Sequence, residues 1–312
     1  MDSRNGRPNG NHPFAKALLG ILIATLLAAT TGCMQWAPGM SVSGYGPPGG
    51  DAARLLDMAR RLESTVDTRE GLLEMVRAYE AAAAADPASR KALVGIANAR
   101  ILLATGYTSE RWEKGEHYQK AMQAAEKALL LNNDFRRQVE AGTPVWEAVS
   151  RLGKDDADGM GYWSFGACYY YREGIPSLAR AWNFQWIERA RVFMRRIEEV
   201  DPTWNDGGNL FNIAIVYIAL PQSQGGDLKK AEEYFEKAIQ AGLDPILVRW
   251  GRAKYLATRN KDREAFRTDL EWVLAQDPRQ GRKRPYCWNV YFQREAKALL
   301  DSIDQIFLRS PS

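Results

Sequence analysis

The sequence predicts an all-α fold of stacked helical hairpins, and three observations carry that prediction. Apolar residues recur every three or four positions; Trp186, Ala190, Phe193, Ile197 and Val200 share one helical face. Alternating strand patterns are nearly absent. Asp-Pro pairs punctuate the chain at Asp86-Pro87, Asp201-Pro202, Asp244-Pro245 and Asp277-Pro278. Proline lacks an amide hydrogen and clashes with the preceding turn, so it stops a helix. It also suits the first turn of the next helix with Asp as N-cap, so each pair is expected to end one helix and begin another.

Residues 1–32 read as a secretory signal. Arg4, Arg7 and Lys16 precede the apolar run Ala17 to Ala29, and Thr30-Thr31-Gly32 supplies small residues before Cys33. The run is shorter than the about 20 apolar residues that span a bilayer. Small residues followed directly by Cys33 resemble a lipobox, in which the thiol is acylated and becomes the new N-terminus; Thr30 departs from the usual apolar residue. Met34 rather than Asp after the cysteine favours the outer membrane, facing the periplasm. Residues 33–52 are rich in Gly, Pro and Ser and read as a flexible tether spanning roughly 25 Å.

Residues 53–312 form the expected helical body. With 46% hydrophobic residues and ten Trp, the chain can bury a sizeable core. Its charge is nearly balanced once the basic signal is removed, so bulk attraction to nucleic acid is not supported. Leu228, Ala231, Phe235 and Ala238 form one helical stripe; Gly225-Gly226-Asp227 supplies its turn and cap, and Asp262 caps a helix through Leu274. Asp134 to Gly161 reads as a helical insertion with a loop. Asp244 to Asp277 spans 33 residues, close to the tetratricopeptide period of about 34. Such a pair cannot bury its apolar face alone, so neighbours must stack into a curved body with a concave surface.

The ordered motifs carry a resemblance. They run from Glu126-Lys127-Ala128-Leu129 to Phe135-Arg136, then Lys154-Asp155-Asp156 to Tyr162-Trp163. Asp201 to Trp204, Gly207-Gly208 before Phe211, Leu220-Pro221, Gly225 to Ala231, Asp262-Arg263 before Phe266, and Asp277-Pro278 follow. Over about residues 75 to 303 the chain resembles the T component (TatT-like) of tetratricopeptide-associated TRAP transporters, a family of exported lipoproteins. The resemblance implies an irregular α-solenoid that docks the periplasmic solute-binding subunit of an ion-driven uptake system and hands over a ligand, a hydrophobic one in one reading. The alternative is a tetratricopeptide lipoprotein scaffold for envelope or pilus assembly.

Residues for catalysis are sparse. His117, at the polar start of a helix, reads as a solvated surface histidine. G-x-S-x-G and H-E-x-x-H are absent. Asp156-Ala157-Asp158-Gly159 lacks the remaining ligands of a calcium loop and reads as a capping loop. No cofactor and no enzymatic activity are expected. Cys168 and Cys287 lie in apolar segments, as buried thiols or as a disulfide. The run Arg279, Arg282, Lys283 and Arg284 is a solvated loop or a contact for anionic headgroups or an acidic partner. Aromatic residues are the candidate lining of a ligand groove: Tyr162, Trp163, Tyr169, Tyr170, Trp182, Trp186, Trp204, Phe211 and Tyr217. Core packing between helices is the competing reading. Tyr169, Tyr170 and Tyr171 cannot all face one side of a helix. Repeat bodies also assemble, so a homo-oligomer is compatible with the pattern.

Overall fold

A computed structural model describes residues 34–38, 51–242, 246–279 and 285–308. The signal, Cys33, Asp244-Pro245 and Arg282 to Arg284 lie outside the described residues. Among the described residues there is no strand. The main helices are α1 (Ala52–Glu63), α2 (Arg69–Ala85), α3 (Arg90–Tyr107), α4 (Arg111–Leu130), α5 (Ala157–Tyr169), α6 (Gln185–Val200), α7 (Trp204–Ala219), α8 (Leu228–Ala241), α9 (Ile246–Gly251), α10 (Arg263–Leu274) and α11 (Tyr286–Asp301). From α1 to α8 each helix packs on the next, and α9, α10 and α11 continue the stack.

Side chains set several boundaries. Thr68 accepts from the Gly71 amide to start α2, and Asn132 accepts from Phe135 N–H to start the insertion helix Asn133–Glu140. Asp227 and Asp262 cap α8 and α10 by accepting from Lys230 and Ala265 N–H, as expected. The Asp-Pro pairs behave differently. Asp86 closes α2, but Ser89 is the N-cap of α3; Asp201 closes α6, and α7 begins only at Trp204. Proline leaves the chain in a short turn before helix resumes.

The stack closes on itself. On α11, Trp288 donates its indole N–H to Asn98 of α3 at 2.7 Å, and Arg294 donates to the Gly106 carbonyl at 2.7 Å. Tyr291 lies so close to Gly106 that a β-carbon there would sit 2.6 Å from its ring. The concave surface expected of stacked hairpins is therefore enclosed where α11 meets α3.

The tether expectation needs a correction at its start. Met34 is buried, and Trp36 packs on Phe135, Trp146 and Trp163 at 6.1–6.3 Å between ring centroids. Met34 N–H donates to Asn183 Oδ1 at 2.7 Å, and Ala37 N–H to Glu126 Oε2 at 2.9 Å. Two large apolar side chains recover more free energy in a groove than the coil recovers in solvent.

Candidate functional site

The enclosed space is a cavity of about 430 Å³. One wall is α5, which presents Tyr162, Phe165 and Tyr169 at steps of three and four. Facing it, α7 presents Phe211, Ile215 and Ala219 at steps of four, with Asn212 and Val216 beside them. Ile187 of α6, Leu247 of α9, Tyr255, and Trp288 and Phe292 of α11 add to the apolar lining, with Cys168, Tyr171 and Leu220. The start of α7 is shaped by three consecutive left-handed residues, Asn205 (φ 51°), Asp206 (φ 52°) and Gly207 (φ 80°). Asn and Asp tolerate this region better than other side-chain-bearing residues, and Gly207 is required because a β-carbon would meet the Ala238 carbonyl oxygen at 2.5 Å. The turn sets the phase of α7, so that Phe211 and Asn212 line the cavity.

Polar groups line part of the cavity. Arg172 donates to Tyr255 Oη at 3.1 Å, lies 4.7 Å from the Tyr169 ring centroid and pairs with Glu173. Burial works against the Glu173 carboxylate, yet Arg172 and Lys114 hold it below the usual carboxylate range. Arg180 donates to the Arg172 carbonyl at 2.6 Å. Asn212 is 6% exposed, and among the described residues its amide nitrogen meets no acceptor. A buried donor left in this condition costs about 1–3 kcal/mol. An acceptor atom on a bound molecule would remove that cost.

The aromatic candidates separate into groups. Tyr162, Tyr169 and Phe211 line the cavity. Trp204 lies behind the wall, edge-on to Tyr162 at 5.7 Å, with its indole N–H on Asp158 at 2.7 Å. Trp163 and Trp186 belong to a separate cluster with Trp36, Trp146 and Phe193. Tyr170 accepts from Gln119 and lies beside Met34. Tyr217 stacks obliquely on Tyr234 beside a smaller depression of about 160 Å³. Trp182 stands at the surface, 62% exposed. Sequence reasoning passed over Asn98, Asn212, Ile215, Tyr255, Trp288 and Phe292; for α7 the Phe211, Ile215, Ala219 stripe was the available signal.

Gly161 admits Trp204 to its place, since a β-carbon there would lie 2.1 Å from the indole ring. Gly161→Ala is expected to cost about 1–3 kcal/mol in urea unfolding through overpacking. An unchanged midpoint would show that Trp204 moves freely.

His117 is not a surface residue. It is 8% exposed, and Arg100 Nη1 donates to its Nδ1 at 3.1 Å. Burial, with Arg100 alongside, pushes its pKa below the usual histidine value. Cys168 and Cys287 are free thiols. Among the described residues no group of three or more His, Cys, Asp or Glu could hold a metal ion, and no helix is long and apolar enough to cross a membrane.

The family model described as TRAP transporter T-component matches residues 76–307, a span that holds every cavity residue named above. No curated protein matches the chain.

Proposed function

The chain belongs to the TRAP transporter T-component family, and from that membership we propose a lipid-anchored periplasmic scaffold that docks the solute-binding subunit and carries a ligand in its central cavity. The family is a transport-accessory one rather than an enzyme family, and membership implies association with other TRAP subunits. Acylated Cys33 anchors the protein, at the outer membrane by the identity of Met34. The ligand is a mostly apolar molecule with one hydrogen-bond acceptor. The observation that carries this reading is the cavity itself: aromatic and aliphatic walls around the unpartnered amide of Asn212.

The test is mass spectrometry of organic extracts from the purified full chain and from an Ile215→Trp variant, in which an indole projects into the cavity and obstructs it. The expected result is a bound apolar species at near one equivalent in the parent and its loss in the variant, with circular dichroism unchanged. An equal yield from both proteins would place the ligand elsewhere. Recovery of the solute-binding subunit with the anchored protein tests the docking role separately.

A further inference from the structure

Between Ile175 and Asn183 the chain forms a turn, Ser177–Ala179, and a short helix, Arg180–Asn183. Ile175, Ala179 and Asn183 point inward and are buried. Leu178 and Trp182, four residues apart on the outer side, are 78% and 62% exposed. Around them Pro176, Ser177, Ala181 and Gln185 are exposed and uncharged. From Gly174 to Ile187 the sequence contains no acid, and its one charge is Arg180.

The chain's acylated end meets this segment. Met34 N–H is bonded to Asn183 Oδ1, and Asn183 in turn donates to the Ala179 carbonyl at 2.8 Å. Trp36 and the Ala37–Glu126 bond fix the same segment a few residues further on. One peptide unit, about 3.8 Å between Cα atoms, separates residue 33 from Met34. The residue that follows the lipid-bearing one is thus bonded to the residue that follows Trp182.

We propose that Leu178 and Trp182 form a membrane-insertion patch that enters the lipid surface beside the acyl chains of Cys33. The proposal rests on the reading of Cys33 as acylated. Acyl chains bury in the bilayer, and the docked segment draws the helical body down with them. Leu178 then enters the acyl boundary, while the indole of Trp182 has the amphipathic character that favours the headgroup level. The absence of carboxylates between Gly174 and Ile187 suits an anionic leaflet. The body is held against the membrane by one defined side, the segment that follows Tyr171 and Arg172 of the cavity wall.

The experiment uses the full acylated chain with Leu178→Cys carrying an environment-sensitive dye, and Glu233→Cys on the exposed face of α8 as the control. Cys168, half-buried in the cavity wall, is replaced by Ser in both proteins, and Cys287 is fully enclosed, so the added surface thiol is the one labelled. Both proteins are reconstituted in phosphatidylethanolamine–phosphatidylglycerol vesicles with brominated acyl chains, and their acyl mass is measured. The expected result is a blue-shifted, bromine-quenched label at 178, at the about 5–10 Å depth of an interfacial helix, and an unshifted label at 233. An acylated protein whose label at 178 stays as wet as that at 233 overturns the patch. A label that is shielded but not quenched shows that protein, either a second copy or a partner, covers the face, and also overturns it. A chain with no acyl mass removes the anchor and the proposal with it.

Discussion

Asp269→Ala is expected to lower folding stability by about 3–5 kcal/mol, the cost of leaving a buried ion cluster without its centre. Asp269 of α10 is 1% exposed and accepts from two arginines. Arg252 approaches it with two nitrogens, at 2.7 and 2.8 Å, and Arg249 of α9 with one at 3.1 Å. Arg252 also reaches Glu236 of α8 at 2.8 Å, so one carboxylate ties three successive elements. Removing it leaves two partly buried guanidinium groups facing each other, with the half-exposed Glu236 on Arg252 as the remaining counter-charge. The loss should be read in urea unfolding by far-UV circular dichroism, and Arg252→Ala in a double-mutant cycle should recover part of it. A cost under about 1 kcal/mol would mean that the cluster behaves as an exposed pair. The same variant should loosen Leu247 and Tyr255, which flank the arginines and line the cavity.

The helices with one apolar face were legible because burial and polarity alternate with the helical period. In α6, α8 and α10 the apolar positions Phe193, Phe235 and Phe266 are buried, and the carboxylates that cap α8 and α10 stand where the sequence placed them. The lining of the cavity was harder to read in α5. That helix is apolar nearly all round, so nothing in its residues separates the face of Tyr162 and Tyr169 from the face of Trp163 and Tyr170. Only the neighbouring helices decide which face meets the cavity. Closure by α11 was hidden for a different reason: the Trp288–Asn98 bond joins residues 190 apart, and no local period announces such a contact. His117 reads as solvated because its type is polar and it stands in a charged run; Arg100 beside it makes its burial tolerable, as Trp163 does for Glu126. Met34 and Trp36 were masked by the glycine and proline that follow them.

Glu126 gives the second large effect, and it is one of pH. The carboxyl is 1% exposed, and burial raises its pKa to about 8, against the opposing hydrogen bonds from Trp163 Nε1 and Ala37 N–H. In the unfolded chain the same group ionises near the usual 4.5. Between those values the folded protein keeps a proton that the unfolded chain has released. Unfolding then releases that proton, so rising pH favours the unfolded state. The contribution of Glu126 is constant below pH about 4.5, falls by up to about 1.4 kcal/mol per pH unit above it, and levels off beyond about 8. Glu126→Gln removes the proton from the balance while keeping the volume. The difference between parent and variant, followed by urea unfolding at pH 5, 6, 7 and 8, should therefore change steadily in favour of the variant as pH rises. Parallel curves would mean that the carboxylate is ionised in place and stabilised by its two donors. Because Ala37 N–H is one of those donors, the same titration reports on how firmly the segment 34–38 is docked. Opening of the slot is linked to the same proton, so hydrogen exchange at the Ala37 amide should quicken between pH 5 and 8 in the parent beyond the normal base-catalysed rise, but not in the variant.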